Sequence, residues 1–180
     1  TAERLRVEYG VRIQWYSPSN EAVEKLLHKE GPLSYLDSVE ARKRCCHVRK
    51  VEPLQRALKD SKAWVTGQRR EQSTTRTALS PFESKDAWGK DKLNPLADWS
   101  LETLWQFIKE KRIPYNPLHD QNYLSIGCSP CTRAVAPGAS FRSGRWWWED
   151  EQSKECGLHN NNLKNQHPTN LGTTKVKDLQ

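Results

Sequence analysis

The sequence predicts an α/β domain, on three observations: strand patterning neighbours helix patterning, the combination occurs twice, and 180 residues suit one domain. Residues 1 to 10, TAERLRVEYG, read as a helix entered part-way along. VRIQWYS alternates apolar and polar residues as a strand does. Ser19 or Asn20 then caps a helix whose stripe is Ala22, Val23, Leu26 and Leu27, stopped by Gly31. The second combination has Pro53 in the first turn of a short helix carrying Leu54, Ala57 and Leu58, followed by AWVTG as a buried strand.

From Gln68 to Asp91 the chain is polar, with QRREQSTTR and then Pro81 and Gly89, and predicts a long functional loop. Ser100 caps the next helix, with the stripe Leu101, Leu104, Trp105 and Ile108, which ends before Pro114. NYLSIG predicts a short strand leading into CSPC, and RWWWED a short helix or turn. Beyond about residue 160 too few apolar residues remain to offset the entropy of ordering, so 161–180 is expected to be a flexible tail. The sequence shows no internal repeat.

Composition narrows the function classes. The apolar fraction is 35% with mean hydropathy −0.91, and the apolar mass sits largely in aromatics, eight of them tryptophans. No stretch approaches a membrane span, and the start has no charged segment followed by an apolar one, which predicts a soluble, cytoplasmic protein. The formal charge of +7 points to an anionic partner without choosing among nucleic acid, acidic protein and phosphorylated or sulfated small molecules. The densest basic run, ARKRCCHVRK at 41–50, reads as a nucleic-acid patch only if its cysteines are ignored. The absence of methionine and the start at Thr1 suggest a chain whose N-terminal part is missing.

The five cysteines are Cys45, Cys46, Cys128, Cys131 and Cys156. An odd count, a cytosolic character and the strain of bridging the neighbours Cys45 and Cys46 argue against a disulfide framework. Two pairs of thiolates suit zinc or an iron–sulfur cluster. Cys128 and Cys131 can reach one metal, but successive side chains diverge, so Cys45 and Cys46 fit better on a [4Fe–4S] cube that offers each thiolate its own iron. Zinc, and buried cysteines without a metal, remain the alternatives. Cys156 is left over; Lys154, His159 and nearby arginines can stabilise its thiolate as a nucleophile, and a plain exposed cysteine is the other reading.

Five stretches together carry a family resemblance: CCHVRKVEPL, WVTGQRREQSTTR, PYNPLHDQNYLSIGCSPCTR, GRWWWED and KECGLH. In consistent order over about residues 1 to 163, they resemble the assimilatory adenylyl-sulfate (APS) and phosphoadenylyl-sulfate (PAPS) reductases, in particular the iron–sulfur branch. The resemblance implies a Rossmann-like fold of the adenine nucleotide α-hydrolase type with a parallel sheet, here partial. Residues 1–160 would be the C-terminal part of the catalytic domain, the phosphate-binding Ser-Gly-Gly-Lys-Asp-Ser loop lying upstream.

The same resemblance implies the site. Cys45, Cys46, Cys128 and Cys131 would bind a [4Fe–4S] cluster, and Cys156 would attack the sulfur of APS, releasing AMP and forming an S-sulfocysteine. Thioredoxin or a glutaredoxin-like reductant would then release sulfite, within sulfate assimilation and cysteine biosynthesis. Lys50, Arg142 and Arg145 would contact the phosphosulfate, with Arg76 and His159 as further contacts, and His119 would pack or hydrogen-bond. The cluster would organise the site and not shuttle electrons. The partners implied are APS and the reductant, with no nucleic acid and no membrane, and a homo-oligomer is compatible. Two stretches depart from the family. QSTTR is one residue shorter than the QSPGTR common in APS-type members, so PAPS stands as the alternative substrate, and a non-catalytic four-cysteine module as the alternative class. Leu79 to Leu93 lacks the hydrophobic strand of the family and predicts a shortened connection.

Overall fold

A computed structural model describes residues 1–150, 153, 154 and 158. Helix α1, Ala2–Tyr9, closes on Gly10 at φ 64°, a left-handed C-cap that glycine adopts without a Cβ clash. None of its residues is buried. The segment that follows is not a strand, contrary to its alternating pattern, and Val11, Ile13, Trp15 and Tyr16 are exposed. Alternation makes a strand only where a neighbouring strand completes the ladder. Among the described residues none pairs with this segment.

Helix α2, Asn20–Glu30, is capped by Ser19, whose Oγ accepts from the Ala22 N–H at 3.2 Å. It ends at Gly31, and of its apolar stripe only Leu26 is fully buried. After a 3₁₀ turn at Ser34–Leu36 comes α3, Val39–Cys46, capped by Ser38, whose Oγ accepts from the Ala41 N–H at 3.1 Å. The chain continues through a π-helical turn, His47–Val51, into α4, Glu52–Leu58. Pro53 accounts for the wide turn. It has no N–H to give the Arg49 carbonyl and its ring crowds that carbonyl, so the backbone opens.

Three short strands form a mixed sheet in the order β1-β3-β2. Strand β1, Ala63–Val65, runs parallel to β3, Asp91–Leu93, with Trp64 opposite Lys92. Strand β2, Phe82–Glu83, is antiparallel to β3. Two expectations change here. AWVTG is a strand but not a buried one, Val65 being 67% exposed, and the stretch between Leu79 and Leu93 holds two strands, not a bare connection. Polar side chains do the packing that the sequence pattern assigns to apolar ones. Lys92, 2% exposed, donates from Nζ to Glu83 Oε1 at 2.9 Å. Asn94 donates to the same oxygen at 2.8 Å and to the Ser80 carbonyl at 2.8 Å, while Thr66 hydrogen-bonds its side-chain oxygen.

Helix α5, Leu101–Glu110, starts where expected, Ser100 Oγ accepting from the Thr103 N–H at 2.9 Å. Its stripe residues are half-buried, and Trp105 packs edge-on against Tyr115 at 5.0 Å and His119 at 5.5 Å, a packing role for His119. NYLSIG forms no strand; its amides go to separate partners, Tyr123 N–H to the Leu118 carbonyl and Gly127 N–H to Thr132 Oγ1. The RWWWED stretch is a turn, pinned by an isolated antiparallel bridge between Thr132 and Arg145. The apolar centre gathers Cys46, Cys131 and Trp146, with Tyr35, Cys128 and Trp148 packed against it.

Ser38→Ala removes the cap of the helix that carries Cys45 and Cys46. The expected cost is about 1 kcal/mol, read as a lower urea midpoint at an unchanged m-value.

Candidate functional site

The π-turn decides what faces the space beneath it. Its hydrogen bonds join residues five apart, as in the Glu52 N–H to His47 carbonyl bond, and it carries Lys50 five residues on from Cys45. Both line a cavity of about 350 Å³ that Cys46, Cys128, Cys131 and Tyr35 also line. The second cysteine pair arrives on a 3₁₀ turn, Ser129–Cys131. Its shape is held by the Cys128 carbonyl, which accepts from the Cys131 N–H at 2.9 Å and from the Thr132 hydroxyl at 2.9 Å. The four cysteines are thus brought to one cavity from two distant stretches of chain.

Burial pushes the Cys131 thiol up from its usual pKa, and the neighbouring Cys128 pushes the same way. Lys50 and Arg145 pull it back down, against a further push from Cys45. The two cations therefore act electrostatically on Cys131. No three His, Cys, Asp or Glu side chains among the described residues form a group ready to hold a single metal ion.

A second cation set stands behind the cysteines. Trp146 is completely buried, and the guanidinium carbons of Arg42, Arg145 and Arg142 lie 4.3, 4.5 and 5.5 Å from its ring centre. Arg145 also donates to the Ile126 carbonyl at 3.3 Å. A Cβ at Gly127 would meet the Arg145 guanidinium, which would have to shift. Arg42 forks onto Glu149, Nε to Oε1 at 2.8 Å and Nη2 to Oε2 at 2.7 Å. Burial opposes the Arg42 charge, but Glu149, with a smaller contribution from Cys46, outweighs it and holds the guanidinium above its usual pKa.

Of the site residues expected from sequence, Cys45, Cys46, Cys128, Cys131 and Lys50 share the cavity, and Arg142 and Arg145 flank Trp146 beside the buried cysteines. Arg76 stands apart on a 3₁₀ turn, Thr74–Arg76, donating to Gln72 Oε1 at 2.6 Å. Cys156 and His159 lie outside the described residues. Sequence reasoning missed Arg42 and Glu149. Arg42 is concealed in a run that reads as solvated positive charge, and its one distinguishing signal is the four-residue spacing to Cys46.

Residues 1–134 match the family model described as the phosphoadenosine phosphosulfate reductase domain. An adenosine 5'-phosphosulfate reductase of Burkholderia cepacia is 53% identical over 157 residues, 87% of this chain and 63% of that protein. Its counterpart from Allochromatium vinosum is 52% identical over 167 residues, 93% of this chain and 65% of that protein. The chain thus spans less than two-thirds of the length of these relatives. Among solved structures, a phosphoadenylyl-sulfate (PAPS) reductase from Candida auris in a phosphate complex superposes with a TM-score of 0.57 at 30% identity, covering 74% of this chain and 63% of that one.

Gly144 tests how the two halves of the site are joined, because a Cβ there would run into the Arg133 carbonyl oxygen and lie 2.8 Å from Val135 Cγ1. Gly144→Ala is expected to cost about 1–3 kcal/mol in chemical denaturation and to speed the reaction of the buried Cys131 with a thiol reagent in metal-free protein.

Proposed function

This chain belongs to the phosphoadenosine phosphosulfate reductase domain family, and from that membership we propose that the protein it comes from reduces adenylyl sulfate to sulfite and AMP. The observation that carries this reading is the convergence of Cys45, Cys46, Cys128, Cys131 and Lys50 on one cavity. Four thiols are the donor set of a [4Fe–4S] cluster. The cavity, about 350 Å³, is roughly tenfold the ~30 Å³ share of one water molecule, room for a group larger than a single ion. The convergence supports a [4Fe–4S] cluster, which Cys45, Cys46, Cys128 and Cys131 would hold and which would tie the two cysteine pairs together.

The chain's own residues do the rest. Cys156, as thiolate, attacks the sulfur of the phosphosulfate; an S–S bond forms, the S–O bond to the nucleotide phosphate breaks, and AMP leaves with the electron pair. Lys50, Arg142 and Arg145 offset the substrate's negative charge and the charge that grows on the departing phosphate. Arg142 and Arg145 are 8% and 7% exposed, and at such low exposure a cation acts more strongly than it would in water. Arg76 and His159 are further substrate contacts in this reading. A thiolate of thioredoxin, or of a glutaredoxin-like protein, then attacks Sγ of Cys156, expelling sulfite and leaving a mixed disulfide that the reductant's second thiol resolves.

PAPS is the second reading of the substrate, favoured by the short QSTTR loop that carries Arg76. A cytoplasmic setting, which keeps thiols reduced, suits Cys45, Cys46, Cys128 and Cys131, all of them free. No helix among the described residues is long and apolar enough to cross a membrane.

The test is turnover by the full-length protein with each nucleotide, alongside Cys156→Ser. Wild-type protein is expected to release sulfite from APS in preference to PAPS. Cys156→Ser is expected to lose sulfite release while keeping its metal content, and activity retained by that variant would sink the assignment. Gly127→Ala, which displaces Arg145, is expected to lower kcat/KM for the nucleotide about tenfold or more, the scale of losing one charge-stabilising contact.

A further inference from the structure

The Arg42–Glu149 pair takes no part in the chemistry above, yet it is buried at both ends, with side-chain exposures of 0% and 4%. A buried ion pair adds little net stability, so its presence asks for a geometric reason. Arg42 stands on α3 one turn before Cys46. Beyond its two bonds to Glu149, its Nη2 donates to the Ser153 carbonyl at 2.8 Å, and its guanidinium stacks on Trp146. Ser153 closes the arrangement by donating from Oγ to Glu149 Oε2 at 3.1 Å. Lys154, next in the chain, is 5% exposed.

One side chain therefore ties together the cysteine helix, the buried tryptophan, Glu149 and Ser153. Cys156 follows Lys154 by two residues in the sequence. We propose that Arg42 is a positioning residue for Cys156: gripping Glu149 and the Ser153 carbonyl, it fixes the point from which the nucleophile reaches the substrate relative to the helix carrying Cys45 and Cys46. The inference rests on the reading of Cys156 as nucleophile. The physical reason for an arginine is its planar fork, which meets a carboxylate in one orientation while a further N–H binds the carbonyl. A lysine ammonium offers the charge without the orientation. Nucleophilic attack is sensitive to displacements of the order of 1 Å, so a fixed root matters to the rate.

The experiment uses the full-length, metal-loaded protein and three variants. Glu149→Gln weakens the grip, Arg42→Lys keeps the charge and loses the fork, and Arg42→Met/Glu149→Leu removes both charges so that neither is left buried and unpaired. Limited trypsin digestion compares the cut after Lys154 with the cut after the exposed Arg112. In variants that retain their unfolding midpoint and iron content, the Lys154 cut is expected to accelerate about tenfold or more as the root opens locally. Single-turnover transfer of sulfonate from APS to Cys156, followed by intact mass, is expected to slow by about tenfold or more with the half-saturating APS concentration nearly unchanged.

Unchanged protection of Lys154 in folded variants would overturn the anchor. Faster cutting with undiminished transfer would overturn the positioning role. If unaltered protein shows no added mass at Cys156, the nucleophile reading fails and the positioning role with it, whereas the trypsin comparison still decides whether Arg42 holds the root.

Discussion

The described structure depends on one indole ring and the charges packed around it. Trp146 is fully buried, and three guanidiniums from two stretches of chain lie within 5.5 Å of its centre. Its backbone sits at φ 40°, in the left-handed region that costs a bulky residue of order 1 kcal/mol or more, and the surrounding contacts hold it there. Arg42 brings the first cysteine pair to this ring through α3. Arg145, bridged to Thr132 next to Cys131, brings the second. Replacing the tryptophan by a small residue would open a cavity between Cys46 and Cys131, which both pack against it.

Concentrating cations beside buried thiols has an electrostatic logic. A thiol moved out of water resists ionisation, as the upward shift at Cys131 shows, and Lys50 and Arg145 counter that resistance. Those same cations suit an anionic substrate. In the proposed reading one set of charges would serve two purposes, favouring thiolate ligands in a low-dielectric place and offsetting the charge of a phosphosulfate next to them. The guanidiniums themselves avoid isolation: Arg42 has its carboxylate partner, and all three lie within 5.5 Å of the indole ring centre.

Much of this was legible in the sequence wherever a local rule governs. The Ser19 and Ser100 caps, the stop at Gly31 and Pro53 at a helix start follow from backbone chemistry confined to a few residues. The convergence of two cysteine pairs was legible through their number and spacing. What the sequence hid depends on distant partners. VRIQWYS has the alternation of a strand but pairs with nothing among the described residues, and β3 is built round the buried Lys92, which a hydrophobic pattern passes over. The π-turn that carries Lys50 was hidden too, because it is a matter of hydrogen-bond spacing. Arg42 was lost among neighbouring basic residues, since only the fold separates a buried guanidinium from the exposed Lys43 and Arg44 beside it.

The central claim is that these four cysteines jointly hold a single inorganic cluster that organises the anion site. It is tested most directly by iron, acid-labile sulfide and zinc content of the anaerobically purified full-length protein, with a visible spectrum of the same sample. About four irons and four labile sulfides per chain, with a charge-transfer band in the visible, is the predicted result. Stoichiometric zinc without labile sulfide would contradict it.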